Sequence, residues 1–417
     1  MSIVSRKLNP QPATPNPLNL KMNKKIIQLT KRHVANTIGR YPIALVKGKG
    51  MNVWDASGNK YLDFVAGVAV DSLGHCPPQV VQAIRKQAGQ LLHVSNWFHI
   101  EPQARLAAEI TRLSFGNKVF FCNSGTEATE GAIKLARRFY VDQGQKNKFE
   151  IITTYKAFHG RTLGAMSATP QDNIQKGFGP LVPGFKYVPF DDITAMKKAI
   201  TSKTCAVMVE PIQGESGVNI PSKTYLKELR KLCTQRGVLL ILDEIQTGFG
   251  RTGHLFAYQR FGAKPDIMTL AKGLGAGVPI GALVMTNQVA KSLGPGTHGS
   301  TFGGNPLVCA AALASVAIVS DKAFLKTVRD TAKYFLARLK ELSKKFSIIK
   351  EVRGIGLILA IDIDGSSADV AKDCMEQGIL VNSIQPGTLR FIPPLIVSQK
   401  NIDTLIRVLT QSLTKLS

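Results

Sequence analysis

Beyond Tyr61, short apolar runs alternate with longer stretches in which apolar residues return every three or four positions. The runs Lys118 to Cys122, Glu150 to Thr154, Ala206 to Val209 and Val238 to Leu242 predict strands; Pro78 to Leu91, Pro102 to Leu113 and Ala128 to Tyr140 predict amphipathic helices. Repeated alternation of this kind is expected of an open, mostly parallel α/β sheet with helices on both faces. Ahead of it, IALV, GKGMNVWD and YLDF around the turn residues ASGN predict a hairpin. Asn305 to Leu342 reads as a long helical stretch, and the remainder, opening on IIKEVRGIGLILAIDI, as a small α+β unit. The expected layout is a disordered tail over 1–25, an N-terminal segment over 26–60 packing with the small domain, a large doubly wound domain over 61–310, and a small C-terminal domain over 311–417.

Composition narrows the class. With 417 residues, 44% apolar and 19% charged, the chain can bury a sizeable core in more than one unit. Val308 to Ser320 is uncharged but too short and alanine-rich to span a bilayer, so it predicts a buried helix. Six cysteines without a CxxC pair and seven histidines without ligand spacing argue against a disulfide framework or a metal site, and for a reducing, cytoplasmic setting. The net charge of +25 raises nucleic-acid binding as a rival. Lys and Arg are scattered without basic runs interleaved with aromatics, so we expect neither nucleic-acid nor membrane partners. The charge is better matched to a basic proteome or to anionic small-molecule substrates.

Several stretches carry candidate chemistry. In DIMTLAKGLGAG, Lys272 stands among small and apolar neighbours that disfavour its charged form, as a Schiff-base lysine requires; the bland alternative is a solvated lysine on a glycine-rich turn. In CNSGTE, between a strand and a helix, Ser124, Gly125 and Thr126 form either a phosphate cup or an ordinary helix cap. AFHGRT offers Phe158 for stacking on a flat ring and Arg161 for a carboxylate, or else a core phenylalanine beside a surface arginine. An apolar strand ends in Asp243, which places a carboxylate at the sheet edge where ligands bind in open α/β folds, with Glu244 and Gln246 just beyond. EPIQGE holds Glu215, HGSTFGGNP holds Ser300 and Thr301, and RFIPP holds Arg390 on a short strand.

Together CNSGTE, AFHGRT, EPIQGE, LDEIQTGFGRTG, AKGLG, HGSTFGGNP and RFIPP, in this order, resemble the class III pyridoxal-phosphate-dependent aminotransferases from about Ile26 to the end. The resemblance implies fold type I, pyridoxal 5'-phosphate as cofactor, and a homodimer with shared active sites. It implies that Lys272 carries the cofactor and moves the proton and that Asp243 pairs with its ring nitrogen. Gln246 would lie near the phenolic oxygen, and Phe158 would stack on the ring. Ser124, Gly125 and Thr126 would hold the phosphate, with Thr301 reaching it from the other subunit. Arg161 would take a substrate carboxylate, Arg390 the α-carboxylate of 2-oxoglutarate or glutamate, with Glu215 as its gate and Ser300 on the substrate side. The implied reaction moves the 5-amino group of N2-acetyl-L-ornithine to 2-oxoglutarate, giving N-acetyl-L-glutamate 5-semialdehyde and L-glutamate in arginine biosynthesis. Succinylornithine, ornithine, 4-aminobutyrate and acetyl-lysine are the rival amino donors; a non-catalytic basic binding protein is the remote rival.

Overall fold

The computed structural model describes residues 17–416, with side chains from 22 onward. A helix, Pro17–His33, occupies the end of the segment expected to be a disordered tail; residues 1–16 of that expectation lie outside the described residues.

A seven-stranded sheet dominates, in the spatial order Lys118–Cys122, Gly281–Met285, Ile267–Leu270, Leu239–Asp243, Thr204–Val209, Glu150–Thr154, Phe185–Val188. Gly281–Met285 runs antiparallel to both neighbours and the other pairings are parallel. All residues of Thr204–Val209 and Leu239–Asp243 are buried, which is why these strands read as unbroken apolar runs rather than alternating ones. Successive side chains still go to opposite faces. Leu240 and Leu242 join the core that holds Leu226, Leu229 and apolar residues of the helix Pro306–Val319, whereas Ile241 joins the core on the other face with Ile133, Ala136 and Phe139 of the helix Gly125–Val141.

The long helical stretch expected from Asn305 to Leu342 is two helices, Pro306–Val319 and Lys322–Lys345, bent by 68°. Asp321 causes the break: its carboxylate accepts the Phe324 N–H at 2.7 Å and starts the second helix. The first of these helices packs against the helices Pro78–Ala88 and Glu101–Leu113 within the core of the large sheet, while Val328, Phe335, Leu339 and Leu342 of the second join a separate core with Ile361, Phe391, Leu405 and Leu409. That core backs an antiparallel sheet ordered Ile349–Ile355, Ile358–Ile363, Thr388–Phe391, Asn382–Gln385. The N-terminal strands Leu45–Lys49, Asn52–Asp55 and Lys60–Asp63 form a further sheet, completed in parallel by Ile379–Leu380. Chain start and chain end therefore share structure. Among the described residues, no single helix is long and apolar enough to cross a membrane.

Candidate active site

The parallel strands deliver their carboxyl ends to one edge of the large sheet, and the antiparallel strand Gly281–Met285 begins there. A cavity of about 410 Å³ opens at this edge, lined among others by Ser124, Gly125, Thr126, Phe158, Arg161, Glu215, Asp243, Gln246 and Lys272. Residues from five separate motifs thus meet in one place. Arg390, Ser300 and Thr301 do not line it directly.

Asp243 ends its strand 3% exposed, and both its oxygens are held. Oδ2 lies 2.7 Å from His159 Nδ1, while Oδ1 accepts from Thr269 Oγ1 and the Ile245 N–H, each at 3.1 Å. Glu244 points elsewhere. Its buried carboxylate accepts the N–H groups of Ala257 and Tyr258 at 2.5 and 2.7 Å, capping the helix Ala257–Phe261, and burial pushes its pKa up to about 7.

Lys272 opens a 3₁₀ turn with φ of 45°, in the left-handed region, so the backbone itself is constrained where the amine is displayed. Burial lowers its pKa, as its apolar sequence neighbours led us to expect, although the Glu215 charge partly offsets this. Glu215 is the hub of the charged groups. Its Oε1 lies 3.0 Å from Arg390 Nη1, 2.7 Å from Gln246 Nε2, which donates to it, and 3.9 Å from Lys272 Nζ. Burial alone would raise the Glu215 carboxyl; the Arg390 and Lys272 charges, with hydrogen bonds from Arg390 and Gln246, bring it down to about 2. A Cβ at Gly214 would stand 1.6 Å from Gln246 Oε1, so a larger residue there would displace the Gln246 amide from Glu215.

Arg390 is 1% exposed. Besides Glu215, its Nη1 donates to the Gly214 carbonyl at 2.7 Å, and its Nη2 and Nε donate to Asn382 Oδ1 at 2.6 and 3.1 Å. Arg161 is the opposite case: it is exposed on the cavity rim, its guanidinium carbon 5.8 Å from the Phe158 ring, and it forms no carboxylate pair among the described residues.

At Ser124 the cap and cup readings turn out to be compatible. Ser124 Oγ accepts the Glu127 N–H at 3.3 Å as N-cap of the helix Gly125–Val141. The N–H groups of Gly125 and Thr126, as first residues of that helix, fall outside its intrahelical ladder and are left for an anion. Thr126 Oγ1 also accepts from the N–H groups of Arg161 and Thr162 at 3.2 and 3.3 Å, which ties the cup to the Arg161 loop. Ser300 Oγ accepts from Asn123 Nδ2 at 3.1 Å, just behind the cup, whereas Thr301 is exposed outside the cavity of its own chain.

Several site residues were not singled out from sequence. His159 stood inside AFHGRT and Glu210 inside EPIQGE, so the motifs contained them without distinguishing them. Glu210 is buried on the cavity and accepts the Phe158 N–H at 3.0 Å; burial and the nearby Asp243 charge raise its pKa well above the usual carboxylate range. Asn382 carried no signal at all.

This convergence of a lysine, an aspartate and an anion cup on one sheet edge coincides with a match to the family model "Aminotransferase class-III" over residues 33–413. The chain belongs to the class-III aminotransferases. It is 50% identical to the acetylornithine aminotransferase of Methanocaldococcus jannaschii over 94% of this chain and 98% of that protein. It is also 50% identical to that of Caldanaerobacter subterraneus, over 94% and 100%. Among solved structures, the ornithine aminotransferase of Toxoplasma gondii superposes with a TM-score of 0.92 at 36% identity, over 96% of each chain. Class-III aminotransferases use pyridoxal 5'-phosphate. The residues present fit that group: a helix N-terminus, a carboxylate and a lysine face one cavity, and Gln246 Oε1 and His159 Nε2 are buried without a partner among the described residues.

Proposed function

We propose that this class-III aminotransferase moves the 5-amino group of N2-acetyl-L-ornithine to 2-oxoglutarate, forming N-acetyl-L-glutamate 5-semialdehyde and L-glutamate, a step of arginine biosynthesis. The observation that carries the reading is the opposite state of two arginines, Arg161 lining the cavity that holds Lys272 and Arg390 reaching it through Glu215. Arg390 is buried and paired with Glu215, whereas Arg161 is exposed without a carboxylate. One site must accept a ω-amino substrate and then an α-keto acid. Masking Arg390 leaves Arg161 to take the carboxylate of the first substrate, and release of Glu215 opens Arg390 for the second. The acetylornithine aminotransferases among its sequence relatives support the acetylated donor.

Pyridoxal 5'-phosphate, when bound, supplies an electrophilic carbon and an electron sink. Gly125 and Thr126, with Ser124 fixing the cap, would hold its phosphate, and Thr301 of a second copy would add to them. Asp243, steadied by His159 and Thr269, would keep the ring nitrogen protonated. Gln246 would lie near the phenolic oxygen and Phe158 against the ring face. Lys272, whose charged form burial disfavours, is the amine that would hold the cofactor and would accept and return a proton at its Nζ. Ser300, which accepts a hydrogen bond from Asn123, would serve the substrate side.

We further propose a homodimer working in the cytoplasm. Trp97 is 91% exposed, and Leu91, Leu92, Phe98 and Phe302 are exposed with it, a patch suited to burial against a second copy. The six cysteines are free, as suits a reducing compartment.

Initial rates on acetylornithine, succinylornithine, ornithine and 4-aminobutyrate test the substrate. The expected result is the highest kcat/KM for acetylornithine; a strong preference for unacetylated ornithine overturns the reading.

A further inference from the structure

Four consecutive residues, Ala66, Gly67, Val68 and Ala69, hold φ of 52°, 59°, 63° and 64°, one turn of left-handed helix between Asp63 and Val70. Three of the four carry a Cβ that crowds the following carbonyl in this conformation, and Val68 is branched there as well. A single glycine cannot account for it. Its surroundings do. Asp63 Oδ1 accepts the N–H groups of Val65 and Ala66 at 2.7 and 3.0 Å, and Oδ2 meets His75 Nε2 at 2.7 Å, so one carboxylate starts the turn and is braced from beyond its far end. The Ala66 carbonyl accepts from both Val70 and Asp71, at 2.8 and 2.9 Å, and closes it. Ala66 and Ala69 are buried beneath.

The chain leaving this turn runs against the lysine. Val70 lines the active-site cavity. A Cβ on Gly273 would lie 2.7 Å from Ser72 Oγ, and one on Gly277 would lie 3.3 Å from Asp71 Oδ1, so these two residues are seated on glycines that follow Lys272. The Ser72 carbonyl accepts the Leu395 N–H at 2.7 Å, which fixes the segment from behind. Lys272 and Ala276 are themselves left-handed, with φ of 45° and 47°. Two constrained turns are pressed together, and neither can relax without displacing the other.

We propose that Asp63 is a positioning residue for Lys272: by fixing the left-handed turn it seats Asp71 and Ser72 against the lysine's turn and sets how the amine enters the cavity. This rests on Lys272 being the reactive amine. The test compares Asp63→Ala and Asp63→Asn holoenzymes in kcat, in KM, and in amide hydrogen exchange at 66–71 and 273–277. Asp63→Ala is expected to lower kcat roughly tenfold or more, with KM within about threefold, and to speed exchange in both segments. Asp63→Asn, whose amide oxygen still accepts the two N–H groups, is expected to stay within about threefold of the parent in kcat. Gly273→Ala attacks the same contact from the other side and carries the test should Asp63→Ala not fold: it lowers kcat, and adding Ser72→Ala restores part of the loss. Unchanged kcat in Asp63→Ala or Gly273→Ala, a loss in Asp63→Asn equal to that in Asp63→Ala, or faster exchange confined to 66–71 overturns the proposal. A Lys272→Ala enzyme that keeps its turnover overturns the underlying reading instead.

Discussion

Asp243 and Glu244 are adjacent acids with unrelated work. One faces the cavity with His159 behind it; the other caps a helix from inside the core. Asp243→Asn keeps a side chain of the same shape that can still take the Thr269 and Ile245 hydrogen bonds, but removes the charge. We expect turnover to fall by roughly 10²–10³-fold with little change in melting temperature, measured by steady-state kinetics beside a thermal melt. Glu215 gives a prediction with a sign. Its folded pKa of about 2 lies below the ordinary carboxylate value, so its contribution to stability is present above that ordinary value and is lost as pH falls through about 2. Glu215→Gln lacks it and leaves Arg390 buried without its counter-charge. The stability gap between the two proteins, from denaturant titrations, should be widest near neutral pH and close as pH is lowered from about 5 toward 2. A gap independent of pH would contradict the Glu215–Arg390 pairing.

At the scale of elements, the site is made by what each strand does immediately after it ends. Strand, sharp turn and helix N-terminus at Cys122 to Thr126 yield the candidate anion cup, and the loop from Ala157 to Thr162 is laced to it by Thr126 Oγ1. Gly160 makes that lacing possible: its φ is 136°, and a Cβ there would stand 2.2 Å from Thr126 Oγ1. Gly160→Ala should therefore push the two loops apart, weaken retention of the cofactor and raise the concentration needed for half-maximal activity, with a smaller effect on folding. Titration of the freed enzyme with pyridoxal 5'-phosphate measures it. These loops were legible as motifs because the chemistry concentrates glycine and hydroxyl residues there. The break between Pro306–Val319 and Lys322–Lys345 was harder to see, since apolar periodicity runs on through Ser320 and only Asp321 marks the new start.

At the scale of the whole molecule, N-terminal strands pair with Ile379–Leu380 from the far end of the chain, and Arg390 reaches the active site from the C-terminal sheet. The exposed patch of Leu91, Leu92, Trp97, Phe98 and Phe302 is larger than isolated surface apolar residues would explain. Sedimentation equilibrium should give twice the 45.2 kDa chain mass, and Trp97→Glu together with Phe302→Glu should shift it toward monomer while lowering activity, if Thr301 of one copy completes the other's site. A fully active monomer would contradict the shared site.

The candidate residues were largely legible in the sequence, because the proposed chemistry asks for particular side chains in particular local turns: an amine among small neighbours, a carboxylate at a strand end, glycines at a strand-to-helix turn. What only the tertiary structure decided were relations between segments distant in the chain. The family resemblance named Glu215 as the gate of Arg390, but the 3.0 Å pairing itself, and the hold of Asn382 and the Gly214 carbonyl on the guanidinium, came only when Gly214 and the strand Thr388–Phe391 were brought together. His159 became more than one letter of a motif once its ring met Asp243 across 84 positions. The left-handed turn at Ala66 to Ala69 had no local signal, because no local preference makes it; it exists through Asp63, His75 and the packing of Ser72 against Gly273. Local propensity writes the elements and their turns, whereas burial, register and long-range hydrogen bonds choose which side chains meet.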